Sequence, residues 1–206
     1  MKKVIAVIDY GMGNLLSVSK ALALMHKDVI VTDNRIKIMD ASAIVLPGVG
    51  AFNDAMRNLA RLKLVKPVQD AVASGKPYLG ICLGLQLLFT KSRENGIWEG
   101  LNIIKGEVLC FPKKAGLKVP QIGWNSIKKA KKCALFTGVK DNSFVYFVHS
   151  YYGEPEDKSL ISAYTVYGKK FASAVNRDNI NAVQFHPEKS QKTGLTILGN
   201  FVKMIK

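Results

Sequence analysis

The chain of 206 residues has 48% hydrophobic residues, three cysteines and a formal net charge of +15. This size and composition suit one domain with its own core, and so few cysteines argue against a disulfide framework or a structural zinc site. No apolar run reaches the roughly 18 residues that cross a membrane. The first apolar run meets Asp9 at once and has no signal-peptide cleavage site, so we expect a cytoplasmic protein.

The excess of positive charge is the strongest anomaly of the composition. Its densest run is formed by Lys128, Lys129, Lys131 and Lys132. A basic surface can bind nucleic acid, an anionic membrane or an acidic partner, but no aromatic residues interleave with these lysines and the sequence carries no nucleic-acid-binding signature. The pattern favours a solvated, lysine-rich surface, and we expect neither a nucleic acid nor a membrane as partner.

The first half of the chain alternates between short apolar runs and segments of helical spacing. The apolar runs predict buried strands at 3–9, 29–32, 43–46 and 77–81. The helical segments are 15–26, 52–62, 64–74 and 83–90. This alternation predicts a parallel sheet with helices on both faces.

The second half of the chain is richer in short strands. These are expected at 103–111, 144–148, 160–166, 170–175 and 180–185, and a helix at 193–205 closes the chain. No linker is long enough to divide the sequence, so we expect one domain over residues 1–206. The predicted fold class is therefore α/β, a single domain with an open, mostly parallel sheet and helices on both faces.

A cysteine flanked by glycines stands where a predicted strand meets a predicted helix, in the run Gly80-Ile81-Cys82-Leu83-Gly84. A nucleophile on such a turn is held in a strained conformation and exposed above the sheet. The start of the following helix favours the reactive thiolate, and the N–H of Leu83 can stabilise an oxyanion. A buried structural cysteine is the alternative, but the flanking glycines favour a nucleophile.

A histidine and a carboxylate follow much later, in the segment 184–188. In an extended chain His186 and Glu188 point to the same side, and Pro187 between them stiffens the pair. A carboxylate beside an imidazole selects its tautomer and stabilises the imidazolium. A core histidine is the alternative for a lone residue, and it is our interpretation of His149, which has no carboxylate two residues further on. The pattern favours His186 as base and Glu188 as the group that orients it.

Together these motifs resemble the class I, triad-type glutamine amidotransferases. The resemblance rests on G-I-C-L-G at 80–84 with Gln86 following, and on F-H-P-E at 185–188, about a hundred residues later. It extends over nearly the whole chain, from Ile5 to Phe201. It implies an open α/β sheet, no cofactor and no metal, and hydrolysis of glutamine through a thioester on Cys82 with release of ammonia.

Four further segments resemble the glutaminase subunits of imidazole glycerol phosphate synthase, an enzyme of histidine biosynthesis. They are DYGMGN at 9–14, LPGVGAF at 46–52, GWN at 123–125 and YFVHSY at 146–151. The resemblance implies a heterodimer with a (β/α)8 cyclase subunit, which uses the ammonia to make imidazole glycerol phosphate and AICAR. Gln121 stands where family members often carry histidine, and we expect this difference to affect the docking surface. A paralogue that supplies ammonia to surface-sugar biosynthesis would keep these motifs and is the open alternative.

The same resemblance implies roles for further residues. The oxyanion donors are the N–H groups of Leu83 and of Val49 or Gly50, in the loop 47–50, whose glycines let a peptide rotate. We expect this loop to be inactive in the isolated subunit and to be switched on by the partner. The residues expected to hold glutamine are Gln86, Glu94, Ser150 and Tyr151, with Glu94 on the α-ammonium group. The residues expected to contact the cyclase are Asn14, Trp124, Asn125 and Tyr146.

Overall fold

The computed structural model describes residues 3–112 and 117–205. The strands are β1 (Ile5–Ile8), β2 (Val29–Thr32), β3 (Ala43–Gly48), β4 (Tyr78–Cys82), β5 (Phe89–Ser92), β6 (Trp98–Glu99), β7 (Ile104–Cys110), β8 (Gln121–Lys129), β9 (Ser143–His149), β10 (Tyr151–Pro155), β11 (Ile161–Tyr167), β12 (Lys169–Arg177) and β13 (Ile180–Val183). The α-helices are α1 (Leu15–Ala23), α2 (Arg35–Asp40), α3 (Phe52–Arg61), α4 (Val65–Ala73), α5 (Leu83–Gln86) and α6 (Gln191–Lys203).

A nine-stranded sheet in the order β2-β1-β3-β4-β13-β12-β11-β8-β9 forms the centre of the fold. Parallel pairing joins β2, β1, β3, β4 and β13. Antiparallel pairing joins β13, β12, β11, β8 and β9. The predicted α/β class, with a large sheet flanked by helices, is confirmed. Its parallel part contains β1 to β4 together with β13, and the remaining pairings are antiparallel, so the sheet is half parallel and not mostly parallel.

Helices cover both faces of this sheet because the buried strands are apolar on both sides. Ile5 and Val7 of β1 pack in one hydrophobic cluster with residues of α1 and α6. Ala6 and Ile8 pack in a second cluster with residues of α2, α3 and α4. Side chains of a strand alternate between the two faces of a sheet, so one continuous apolar run contributes to the hydrophobic clusters on both faces. No helix within the described residues is long and apolar enough to span a bilayer.

A smaller sheet in the order β10-β7-β5-β6 is not predicted from the sequence, although β7 corresponds to the strand expected at 103–111. The predicted helix at 83–90 is wrong in its second half, because α5 ends after one turn and β5 begins at Phe89. The ring of Phe89 fills space left by two glycines of the small sheet: an added Cβ would lie 2.2 Å from it at Gly153 and 3.1 Å at Gly106. Pairing and packing with neighbouring strands override the helical spacing there.

Candidate active site

The candidate nucleophile, Cys82, ends β4 in a strained backbone conformation, with φ 54° and ψ −107°. A left-handed φ is uncommon for a residue with a side chain. The flanking glycines are sterically required: an added Cβ would lie 1.8 Å from the Leu46 carbonyl oxygen at Gly84 and 2.6 Å from the Gly84 carbonyl oxygen at Gly80. The structure therefore contains the sharp strand-to-helix turn that the glycine spacing predicts.

The helix after Cys82 differs from the expectation. It has four residues, so few peptide dipoles are aligned behind the sulfur and the expected macrodipole effect is small. The sulfur has polar neighbours instead. Gln184 Nε2 donates to Sγ at 3.7 Å, and the Val148 carbonyl oxygen lies 3.8 Å from it. His186 lines the same pocket as Cys82.

His186 and Glu188 form the second part of the site. His186 Nδ1 lies 2.8 Å from Glu188 Oε1, and both side chains are almost fully buried. His186 is extended, but a 3₁₀ turn begins at Pro187, so the two side chains meet through this turn and not through a continued strand. The His186 N–H donates to the Tyr146 carbonyl, and the hydroxyl of Ser190 donates to the His186 carbonyl. The base is thereby fixed at both its ring and its backbone.

The surroundings of His186 favour its cationic form. Burial opposes the charge, but hydrogen bonds to Cys82 and Glu188 and the negative charges of these groups raise the pKa of the His186 imidazole to about 10. The ring is therefore an imidazolium at neutral pH. An imidazolium beside a sulfur stabilises the thiolate, which is the reactive form of cysteine.

His149 has the opposite environment. Its Nδ1 donates to the Tyr151 carbonyl at 2.8 Å, and its Nε2 lies 3.1 Å from the side-chain oxygen of Gln121. Burial lowers the pKa of His149 to about 4, an effect that the hydrogen bond to Tyr151 opposes and the charge of His186 reinforces. The ring is neutral with its proton on Nδ1, so the unprotonated Nε2 can only accept a hydrogen bond. Gln121 pairs with it only when its side-chain amide is turned over, so that the amide nitrogen and not the oxygen faces Nε2. Gln121 is buried as well, so the difference from the family alters an internal contact and not an exposed docking surface.

A pocket of about 260 Å³ opens above the sulfur. Apart from Glu188, which lies behind His186, every residue proposed from the sequence for the triad, the oxyanion hole or substrate binding lines it. These residues are Val49, Gly50, Cys82, Leu83, Gln86, Glu94, Ser150, Tyr151 and His186. No group of three or more histidine, cysteine, aspartate or glutamate residues within the described ranges could hold a metal ion.

Gln86 and Glu94 are fixed in the pocket wall. The Gln86 amide donates to the Tyr151 carbonyl at 2.8 Å and to Gln184 Oε1 at 3.2 Å. Glu94 Oε2 accepts from the Phe52 N–H at 2.7 Å, at the start of α3. Gln86 is buried and Glu94 lies in a turn, so neither side chain lies on a solvated helix face.

The candidate oxyanion loop, residues 47–50, leaves the end of β3 next to the nucleophile. Gly48 and Cys82 are neighbours in the parallel ladder. Beyond Gly48 the chain becomes exposed: Val49 is 43% exposed, and Gly50 has a φ of +99°. The N–H of Leu83 follows Cys82 directly. Donors from two strand ends can therefore converge on a substrate carbonyl bound at the sulfur.

The four residues proposed for docking are not all on one surface. Trp124 and Tyr146 are cross-strand partners on β8 and β9, with ring centroids 5.9 Å apart. Asn125 faces away from them, since its amide donates to the Val166 carbonyl and its oxygen accepts from the Ser126 N–H. Asn14 is exposed and caps α1. Trp124 and Tyr146 share their side of the sheet with three apolar residues, and we call this surface the edge face: Ile122, Trp124, Phe144, Tyr146 and Val148.

Sequence reasoning missed two residues of the site. Gln184 is fully buried and contacts both Cys82 and Gln86. Lys189 lines the pocket and lies over the ring of Tyr146, 6.0 Å from its centroid. Both lie directly beside the F-H-P-E motif, and this position was the one signal that could have identified them.

Comparisons with known proteins agree with this geometry. The family model for glutamine amidotransferase class-I matches residues 6–205. The imidazole glycerol phosphate synthase subunit HisH of Aquifex aeolicus is 54% identical over 196 residues, covering 95% of this chain and 94% of that protein. The HisH subunit of Geobacter sulfurreducens is 50% identical over 205 residues, covering 97% and 98%. In fold, the structure of PurLQS from Thermotoga maritima has a TM-score of 0.73 at 19% identity and full coverage of both chains.

Proposed function

The chain belongs to the class-I glutamine amidotransferase family, and within it to the HisH subunits of imidazole glycerol phosphate synthase, and we propose that it hydrolyses glutamine at Cys82 and passes the ammonia to a separate cyclase subunit. The observation that carries the proposal is that Cys82 and His186 line one pocket and that Glu188 lies behind His186, with Oε1 2.8 Å from its Nδ1. A nucleophile, a base and an orienting carboxylate are the groups that carry out acyl transfer beside an oxyanion hole.

The first half of the reaction forms a thioester. The Cys82 sulfur attacks the side-chain carboxamide carbon of glutamine, and the N–H groups of Leu83 and of Val49 or Gly50 stabilise the oxyanion. The carbon–nitrogen bond then breaks as His186 gives its proton to the departing nitrogen, which leaves as ammonia. Glu188 keeps the ring oriented and stabilises its positive charge before the proton is given away.

The second half of the reaction releases glutamate. His186, now neutral, takes a proton from a water molecule as that water attacks the thioester carbon. The carbon–sulfur bond breaks, glutamate leaves, and sulfur and imidazole return to their starting charges. Gln86, Glu94, Ser150 and Tyr151 hold the substrate, with the Glu94 carboxylate on the α-ammonium group. Glu94 is suited to this role because it lines the pocket at a fixed position, held by the Phe52 N–H.

The position of the edge face supports delivery of ammonia to a partner. Val148 belongs to the edge face and also lines the pocket, and its carbonyl lies 3.8 Å from the Cys82 sulfur. Trp124 is 46% exposed and Phe144 is 60% exposed. Exposed aromatic side chains on a sheet edge are typical anchors of a protein interface. A cyclase subunit bound there covers the surface next to the place where ammonia is released.

The direct test is an assay of glutamate release, with and without the cyclase subunit and its ribonucleotide ligand. Cys82→Ala removes the nucleophile, and we expect activity to fall by at least about 10⁴-fold. Cys110→Ala is the matched control, since Cys110 is exposed on β7, and we expect its rate to equal that of the wild type. Activity that survives in Cys82→Ala would overturn the proposed function. Formation of imidazole glycerol phosphate distinguishes a histidine-pathway subunit from the surface-sugar paralogue.

The edge face is tested by binding. Trp124→Ala should weaken binding of the cyclase subunit by about 2 kcal/mol, or about 30-fold in Kd, measured by titration calorimetry. Ile97→Ala is the control, because Ile97 is 67% exposed and lies in the small sheet region, away from β8 and β9. Equal Kd values for the two variants would show that the partner docks elsewhere.

A further inference from the structure

The hydroxyl of Tyr10 is buried and has no hydrogen-bond partner. Its residue is 0% exposed, and its oxygen is one of four buried side-chain atoms without a partner within the described part of the chain. A buried hydroxyl without a partner is destabilising, because it has left water without replacing the hydrogen bonds it made there. A specific reason is therefore needed for burying the Tyr10 hydroxyl without a hydrogen-bond partner.

The orphaned hydroxyl lies against the candidate oxyanion loop. A Cβ added to Gly48 would lie 2.2 Å from the Tyr10 oxygen, so only glycine permits this approach. The turn that follows Tyr10 also contacts the loop: a Cβ on Gly13 would lie 3.4 Å from the Gly48 Cα, and one on Gly50 would lie 2.7 Å from the Met12 side chain. The loop 47–50 therefore packs against the turn 10–14.

A comparison with Tyr78 shows that burial alone does not leave a tyrosine hydroxyl without a partner. Tyr78 is also fully buried near the nucleophile, and its hydroxyl donates to the Gly84 carbonyl at 2.8 Å. Burial, together with the charge of Cys82, raises the pKa of Tyr10 above its usual range. The Tyr10 hydroxyl therefore keeps its proton and is available as a donor at every working pH.

We propose that Tyr10 is a positioning residue whose hydroxyl donates to the Gly48 carbonyl when the peptide between Gly48 and Val49 rotates into its catalytic orientation. The N–H and C=O of a trans peptide point in opposite directions. A rotation that aims the Val49 N–H at the oxyanion therefore turns the Gly48 carbonyl away from the pocket, and a buried carbonyl needs a donor. The Tyr10 hydroxyl is the buried donor that lies next to Gly48 without a partner. This inference rests on the proposed function and concerns the regulation of the same site.

The two loop orientations then differ by one hydrogen bond. In the structure described here the hydroxyl is unpartnered, whereas in the rotated loop it is paired. The energy of that bond favours the rotated loop and is gained only when the oxyanion hole is complete. An interaction present in the transition state and absent from the resting enzyme raises kcat and leaves KM unchanged.

The test is Tyr10→Phe, assayed for glutamate release in the complex with the cyclase subunit. We expect kcat to fall about tenfold with KM unchanged. We expect Tm to be equal to that of the wild type or higher, since the substitution removes an unpartnered hydroxyl. The rate at which iodoacetamide alkylates Cys82 should not change, because alkylation forms no oxyanion.

Tyr78→Phe is the matched variant, because it removes a hydroxyl that is already paired. We expect its Tm to fall, in contrast to that of Tyr10→Phe. A Tyr10→Phe enzyme with wild-type kcat would overturn the inference and leave the proposed function intact. The same is true if its kcat, Tm and alkylation rate all fall together, since that pattern indicates general damage to the fold. A wild-type complex that releases no glutamate from glutamine would overturn both.

Discussion

The two halves of the active site are built differently. The triad half, formed by Cys82, His186 and Glu188, is buried and held by hydrogen bonds to ring and backbone atoms. The oxyanion half, the loop 47–50, ends in an exposed Val49 and a glycine at φ +99°. Preformed hydrogen bonds fix a group in one position, whereas an exposed, glycine-rich segment can exchange between orientations.

This difference indicates where control of the enzyme resides. The proposed nucleophile and base line one pocket of the single chain, and hydrogen bonds hold the base in place. The proposed oxyanion loop is the part that can still change, and it lines the same pocket as Val148 of the edge face. A partner can therefore regulate hydrolysis through the loop while leaving the triad as it is.

The largest expected effect in the rigid half comes from Glu188→Gln. The amide keeps the shape of the carboxylate but loses its charge, so it no longer selects the tautomer or stabilises the imidazolium. We expect kcat to fall by about 10³-fold or more, measured as glutamate release at saturating glutamine. Glu99→Gln, on the exposed strand β6, is the control and should retain full activity. A Glu188→Gln enzyme within twofold of the wild type would exclude the proposed role of this carboxylate.

A smaller effect is expected in the adjustable half, from Gly50→Ala. The new Cβ meets the end of the Met12 side chain at 2.7 Å and takes a left-handed φ, so we expect the loop to shift from its position beside Cys82. We expect kcat to fall about 10- to 100-fold, less than the full loss of an oxyanion donor.

Gly75→Ala is the matched control for this substitution. Gly75 also has a left-handed φ, +81°, but an added Cβ would meet nothing within 4 Å. Both variants should lose about 1 kcal/mol of unfolding free energy, and only Gly50→Ala should lose activity. Equal kcat values would mean that the conformation of the loop does not limit the rate.

The pH dependence of the unfolding free energy tests the charge states of His186 and His149 without an activity assay. The pKa of His186 is about 10 in the folded chain, above the usual 6.5, so its contribution to stability is complete below pH 6.5 and is lost as the pH rises through 10. The pKa of His149 is about 4, so its effect has the opposite sign and stability is lost as the pH falls from 6.5 through 4.

Urea unfolding at a series of pH values measures this effect. The unfolding free energy of the wild type should fall more steeply between pH 7 and 10 than that of His186→Asn, which has no group to titrate there. Parallel curves for the two proteins would show that His186 is not held as an imidazolium. Nitrogen NMR of the histidine rings gives the same answer directly, with His186 cationic and His149 neutral at pH 7.

The sequence predicts the elements whose spacing is local and strongly apolar. The bounds of β2 match the structure, and α3 differs by one residue. The prediction of a helix over 83–90 is wrong in its second half, because Phe89 packs against glycines of the small sheet that lie much later in the chain. Contacts between residues so far apart leave no pattern in the local sequence. The strand β8 is not predicted for a related reason: Gly123, Trp124 and Asn125 resemble a family motif, whereas their strand pairing depends on the distant strand β9.

The same distinction holds for the site. Cys82, His186 and Glu188 lie in short motifs that carry their own chemistry, so the residues could be found without a structure. Gln184 and Tyr10 could not be singled out, because each is notable only for a contact with a residue remote in sequence: Gln184 with the Cys82 sulfur, and Tyr10 with Gly48. Burial and unmet hydrogen bonds become visible only when the chain is folded.

The most direct test of the difference between the two halves compares two reactions of one sulfur. Alkylation of Cys82 by iodoacetamide depends on the thiolate and its imidazolium, whereas hydrolysis of glutamine also requires the oxyanion hole. We predict that adding the cyclase subunit and its ribonucleotide ligand raises the rate of glutamate release and leaves the rate of Cys82 alkylation unchanged. If the two rates rise together, the triad is not preassembled and the division into a rigid and an adjustable half is wrong.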